Sequence, residues 1–211
     1  MKAMHLISRL PATVLLVCNF HTVGLPGARA DALSASSPDQ LHAAVAADEG
    51  RVHYRRVGDH AVERTFFLCN PQALGFSADG QFLAAAGGRK GTQAKIKVWR
   101  VADGRQVGEI LVPGEGIKKL AVSGDGRMVI GSSGDGRVDA WLVADGKARW
   151  SRTFSPAVPA LSLEVDSGTL LVRFTGGTEH RLDPANGRNA PRREPAPKSP
   201  GEADAARQRA K

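Results

Sequence analysis

Aromatic residues are scarce: Phe, Trp and Tyr make up 5% of the 211 residues, so a core here has to rest on Val, Leu, Ile and Ala. Cysteine is almost absent. Cys18 falls in the segment that reads as a leader, which leaves Cys69 without a partner for an intramolecular disulfide and without a surrounding ligand cluster. Its neighbours Phe66, Phe67 and Leu68 predict a buried, inert thiol. No apolar run is long enough to span a bilayer, which predicts no membrane span. Also missing are a His-Glu-x-x-His or Cys-x-x-Cys spacing, a phosphate loop and a serine nucleophile elbow. His53, His60 and His180 stand apart from one another and are expected to be surface strand residues rather than metal ligands. These absences nominate no catalytic, cofactor-binding or metal-binding residue, and predict a protein that is not an enzyme.

Positive charge is plentiful, with 29 Lys and Arg against 21 Asp and Glu, but it is scattered along the chain. A nucleic-acid module concentrates its basic residues in a stripe interleaved with aromatics, so no nucleic-acid partner is expected. The first 30 residues read as an export signal. Lys2 and Arg9 precede the apolar run from Ala12 to Val17, and Ala28-Arg29-Ala30 supplies a small-x-small cleavage pattern before Asp31. The alternatives are lipidation at Cys18, after Leu15-Leu16-Val17, and a cytosolic chain with an uncleaved apolar start. Residues 31–49, rich in Ala and Ser, are expected to be a spacer, with a short helix over Gln40 to Ala47. Residues 189–211 carry Pro191, Pro195, Pro197 and Pro200 among charged residues and predict a disordered basic tail.

Glycine, by contrast, is abundant at 24 residues, and many sit in Asp-Gly or Gly-Gly pairs that reach positive φ at little cost. Those turns punctuate a repeat. Val98-Trp99-Arg100-Val101-Ala102-Asp103-Gly104 recurs as Ala140-Trp141-Leu142-Val143-Ala144-Asp145-Gly146, and more weakly as Arg181-Leu182-Asp183-Pro184-Ala185-Asn186-Gly187. Asp103 and Asp145 are 42 residues apart, and Asp145 and Asn186 are 41 apart. A second marker travels with the first: Leu74 to Gly87 matches Leu120 to Gly134 and then Leu161 to Gly177. Upstream, Gly50 to Phe66 parallels only the second half of a unit. The array over 50–188 therefore reads as half a repeat followed by three.

Each unit divides into four strands, placed in the middle copy at Ile117 to Ser123, Met128 to Ser132, Arg137 to Val143 and Ala148 to Phe154. The first two carry apolar runs, as inner strands do, and the outer two alternate apolar with charged residues. The fold class expected is all-β: a partial β-propeller of about three four-stranded antiparallel blades plus an N-terminal strand pair. Trp99 and Trp141 are expected to pack blade on blade, and Asp79, Asp125 and Asp166, with Ser77 and Ser123, to shape turns.

The stretch Ser77 to Gly87 followed by Ile96 to Val107, and again Ser123 to Trp150, resembles the WD repeat, with Arg100 and Leu142 where that family has Asp after Trp. Val138 to Trp150 is also similar to the quinoprotein-type propeller repeat. The resemblance implies a non-enzymatic scaffold that binds a protein partner through blade loops, and the leader implies that it is exported. The alternative is a fragment of a propeller enzyme or quinone-cofactor protein. Propellers close with about four to eight blades. Three and a half leave a face and an edge uncovered, so a homodimer, an open relic, or closure by the pair Arg51 to Val57 and Val62 to Leu68 against the third unit all remain open.

Overall fold

The computed structural model describes residues 33–47, 50–88, 93–112, 116–154, 160–166, 168–174 and 177–190. The leader and nearly all of the Pro-rich tail lie outside these residues. No α-helix occurs among them; the chain is all-β, in four sheets that follow one another along the sequence. Sheet 1 holds β1 (Ser34–Ser36), β2 (His42–Ala47), β3 (Arg51–Arg56) and β4 (Val62–Phe67). Sheet 2 holds β5 (Pro71–Phe76), β6 (Phe82–Gly87), β7 (Ala94–Arg100) and β8 (Gln106–Val112). Sheet 3 holds β9 (Ile117–Val122), β10 (Met128–Ser133), β11 (Arg137–Leu142) and β12 (Ala148–Thr153), within a residue or so of the expected strands. Sheet 4 has three strands, β13 (Ala160–Asp166), β14 (Thr169–Phe174) and β15 (Glu179–Leu182), extended by one bridge between Leu182 and Asn189. Every ladder is antiparallel between sequence neighbours, the pattern of short turns joining up-and-down strands. The fold is a partial propeller.

The array begins earlier than the repeat analysis placed it. Residues expected to be a spacer with a short helix form β1 and β2, so the upstream half repeat is a whole sheet. The Ala-rich segment has helical propensity, but pairing decides: His42 to Ala47 run in unbroken register against Arg56 to Arg51. That ladder puts Ala44 in the core at 0% exposure. β3 and β4 accordingly complete sheet 1 and pack toward sheet 2, not against the third repeat.

Period-two alternation then builds one apolar layer between each pair of neighbouring sheets. Val52, Tyr54 and Phe66 of sheet 1 meet Leu83, Trp99 and Val101 of sheet 2. From the other face of sheet 2, Ala84, Ile96 and Val98 meet Val129, Trp141 and Val143 of sheet 3. Ile130, Val138 and Phe154 of sheet 3 meet Leu170, Val172 and Leu182 of sheet 4. Trp99 and Trp141 are buried at these joints, as expected, and the Trp99 ring lies 5.0 Å from that of Phe66. A Cβ added at Gly131 would sit 3.1 Å from the Trp141 ring and from the Ile117 side chain, so glycine leaves room for both against β10. Close approach recurs near the inner strands: a Cβ on Gly75 of β5 would collide with the backbone carbonyl of Leu120 on β9.

Inner strands touch in the order β1, β5, β9, β13, and no comparable contact joins β13 back to β1 among the described residues. The same alternation corrects the expectation for Cys69. Phe66 and Leu68 face inward at 3% and 4% exposure, Phe67 points out at 63%, and Cys69 beyond it is exposed.

Removing the Trp141 side chain empties the joint between sheets 2 and 3, and Trp141→Ala is expected to lower the unfolding free energy by about 3–5 kcal/mol in urea titration. Gln40 holds φ 62 where Gly80 and Gly126 hold φ 73 and 69 in the matching turns. Relief of left-handed strain outweighs the added freedom of the unfolded chain, so Gln40→Gly should raise stability by about 1 kcal/mol in the same titration.

Candidate functional site

The first turn of each complete sheet is built by one three-residue device, Ser-x-Asp. In sheet 2, the Ser77 hydroxyl donates to Asp79 Oδ1 at 2.6 Å and accepts the Phe82 N–H at 2.9 Å, while Asp79 Oδ1 also accepts the Gln81 N–H at 3.1 Å. Sheet 3 repeats this with Ser123 and Asp125 at 2.6 Å, Met128 N–H at 2.9 Å and Arg127 N–H at 3.0 Å. Sheet 1 repeats it with Ser37 and Asp39 at 2.5 Å, His42 N–H at 3.0 Å and Leu41 N–H at 2.9 Å. Each serine thereby spends its hydroxyl on the turn, and each aspartate replaces a missing ladder acceptor. Ser77 is fully buried and also bridges to Val122, which ties the sheet 2 turn to the inner strand of sheet 3.

Asp79 and Asp125 are turn residues, as their recurrence in the repeat implies. Ser37-Pro38-Asp39 is a further copy outside the expected array. The signal was present, because Ser37 and Asp39 precede Ser77 and Asp79 by 40 residues, but Gln40 stands where the later copies have glycine. Asp166 closes β13, in a turn whose next residue is not described.

Between the turns of sheets 2, 3 and 4 lies an open groove of about 560 Å³. Met128, Val165 and Pro184 give it apolar lining, and Asp79, Ser123 and Asp125 bring polar groups to it. The wall on the sheet 4 side is held by Trp150, whose indole N–H donates to the Pro184 carbonyl at 2.7 Å. Hydrogen bonding by the Ser123 hydroxyl, and then by the Arg127 N–H, holds the Asp125 carboxyl below its ordinary pKa, so it is anionic at neutral pH. The groove therefore suits a ligand with an apolar body and a cationic or donor-bearing group. Among the described residues no group of three or more His, Cys, Asp or Glu is placed to hold a metal ion.

The three isolated histidines lie apart. His53 Nδ1 is 3.0 Å from Thr65 Oγ1, His60 occupies a turn at φ 58, and His180 packs between Phe154 and Phe174 at ring distances of 4.8 and 5.7 Å. His180 is half-buried beside these rings.

No family model matches the chain, and no curated protein sequence matches it. Among solved structures, hydrazine synthase from Kuenenia stuttgartiensis aligns over 74% of this chain with a TM-score of 0.55 and 18% identity. The likeness is one of fold. The matched region amounts to 46% of that structure's chain, so this chain spans about half its length. No helix among the described residues is long and apolar enough to cross a membrane.

Acid should loosen the turns. Asp103 is held down to about 2 from 3.8, first by the Arg100 guanidinium and then by the Arg105 N–H. A depressed folded-state pKa gives stability that is present above the unfolded value and lost as pH falls through the folded one. Thermal melting followed from pH 5 to pH 2 should show the midpoint dropping through the window from about 4 to about 2, with a shallower slope in Asp103→Asn.

Proposed function

We propose that the chain is an exported, non-enzymatic, WD-repeat-like module that binds a protein partner in the groove on its turn face. The observation that supports this reading is the groove itself: an apolar lining of Met128, Val165 and Pro184 beside the Asp125 carboxylate, carried by turns that their own hydrogen bonds fix in place. A rigid concave patch with a few oriented polar groups is the usual form of a recognition site. The alternative reading is a fragment of a propeller enzyme or quinone-cofactor protein. Export is supported by Lys2, Arg9, the run Ala12 to Val17 and Ala28-Arg29-Ala30.

A photo-crosslinking residue at Ala185, on the groove wall, is expected to yield one discrete protein adduct in the producing cell, and Met128→Glu should abolish it. Equal adduct yield from a crosslinker at Leu111, on the outer strand β8, would contradict a groove-directed partner. Mass spectrometry of the mature chain is expected to place its N-terminus at Asp31; a chain that begins at Met1 or carries lipid at Cys18 would contradict the export reading.

A further inference from the structure

Two turns adjoin at the groove. A Cβ built on Gly124 would lie 3.8 Å from Asp79 Oδ2, so the Asp79 turn of sheet 2 and the Asp125 turn of sheet 3 stand side by side. Each carboxylate spends Oδ1 on its own turn, where it takes a serine hydroxyl and a backbone N–H. The Oδ2 atoms are the ones a ligand meets. That of Asp125 has the Nε of Arg127 at 3.9 Å, but the Arg127 side chain is 84% exposed and solvent screens the pair. Among the described residues no Lys or Arg lines the groove, so its own charge is two carboxylates beside the apolar surface of Met128, Val165 and Pro184.

The groove also lies beside the last turn of sheet 4. Pro184 and Ala185 line it, and the chain then runs back along β15 to Ala190, whose N–H donates to the Arg181 carbonyl at 2.8 Å. Ala190 is five positions after Ala185. Five residues span at most about 18 Å, so the stretch Pro191 to Pro195 is long enough to return to the groove wall. There the sequence reads Pro195-Ala196-Pro197-Lys198. Its prolines favour the extended polyproline conformation, which rises about 3.1 Å per residue and loses little further freedom on binding. The segment supplies what the groove lacks: an apolar body followed directly by a cation.

We infer that Pro195–Lys198 docks in this groove of its own chain, with the prolines on Met128, Val165 and Pro184 and the Lys198 ammonium at the Asp79 and Asp125 carboxylates. The inference rests on the reading of the groove as a recognition site, and it makes the tail a competitor that the partner displaces. Arg192 and Arg193 fall in the connecting stretch and are not needed. A tether this short holds the segment at an effective concentration of order millimolar, so a contact of millimolar affinity fills about half of the grooves. That occupancy sets a threshold which a weakly bound partner does not cross.

A photo-crosslinking residue at Ala185 in the purified full chain tests the docking with no partner present. Peptide mapping is expected to find an intrachain link from position 185 to residues 195–198, at a yield unchanged by tenfold dilution. Lys198→Glu should cut the yield to about half and Lys198→Arg should restore it; both changes lie outside the described sheets. Links that miss the tail, spread evenly over residues 191–211 or ignore Lys198→Glu overturn the inference. So does a yield that falls on dilution, which would assign the groove to the tail of a second copy. In the producing cell, Lys198→Glu should raise the partner adduct from Ala185 about twofold. An intrachain link without any partner adduct upholds the docked tail and removes only the partner reading.

Discussion

Two-sided burial governs this chain. A sheet in the interior of the array has no solvent face, so residues of both parities along a strand must be apolar or small, and each face must fit a different neighbour. β6 shows the constraint most plainly: Leu83 and Ala85 fill the layer toward sheet 1, Ala84 and Ala86 the layer toward sheet 3, and all four are at most 1% exposed. With aromatics so few, the two tryptophans carry a large share of the contact between sheets, and the small residues opposite them set how near the sheets can come. Gly75 and Gly131 are the visible consequence, one admitting a neighbouring backbone and the other an indole ring.

Turns follow from the same constraint. Inner strands packed this closely leave little room for loops, so each first turn satisfies its polar groups with its own Ser and Asp. The hydroxyl and carboxylate replace ladder partners that water would otherwise supply. Where glycine is lacking at the left-handed position, Gln40 and His60 adopt that conformation all the same. The surrounding ladder, not the residue at the bend, dictates the backbone there.

Legibility in the sequence tracked how closely a unit keeps these marks. Sheet 3 retains Ser123-x-Asp125, all three Asp-Gly turns and Trp141, and its strands could be placed almost to the residue. Sheet 1 reads as half a unit because, in the turn between its first two strands, Gln40 stands where the later copies have glycine. Its inner strands, rich in alanine, carry no β-branched signal apart from Val45, and only pairing with β3 makes them strands. The burial of Trp99 and Trp141 was legible because their spacing matched, whereas the outward turn of Cys69 was hidden by the apolar residues before it. The groove was not legible at all, since Asp125 in the β9–β10 turn, Val165 in strand β13 and Pro184 after β15 are brought together only by the fan of sheets.

Hydrogen exchange on the Trp141→Ala chain tests the governing claim most directly, because it reads whether neighbouring sheets share one layer or stand separately. The account predicts that amides of β6 and β7 in sheet 2 lose protection together with those of β10 and β11 in sheet 3, with β3 in sheet 1 affected least. Loss of protection confined to β11 and its two ladder partners would contradict it, showing that each sheet holds itself together without the layer between them.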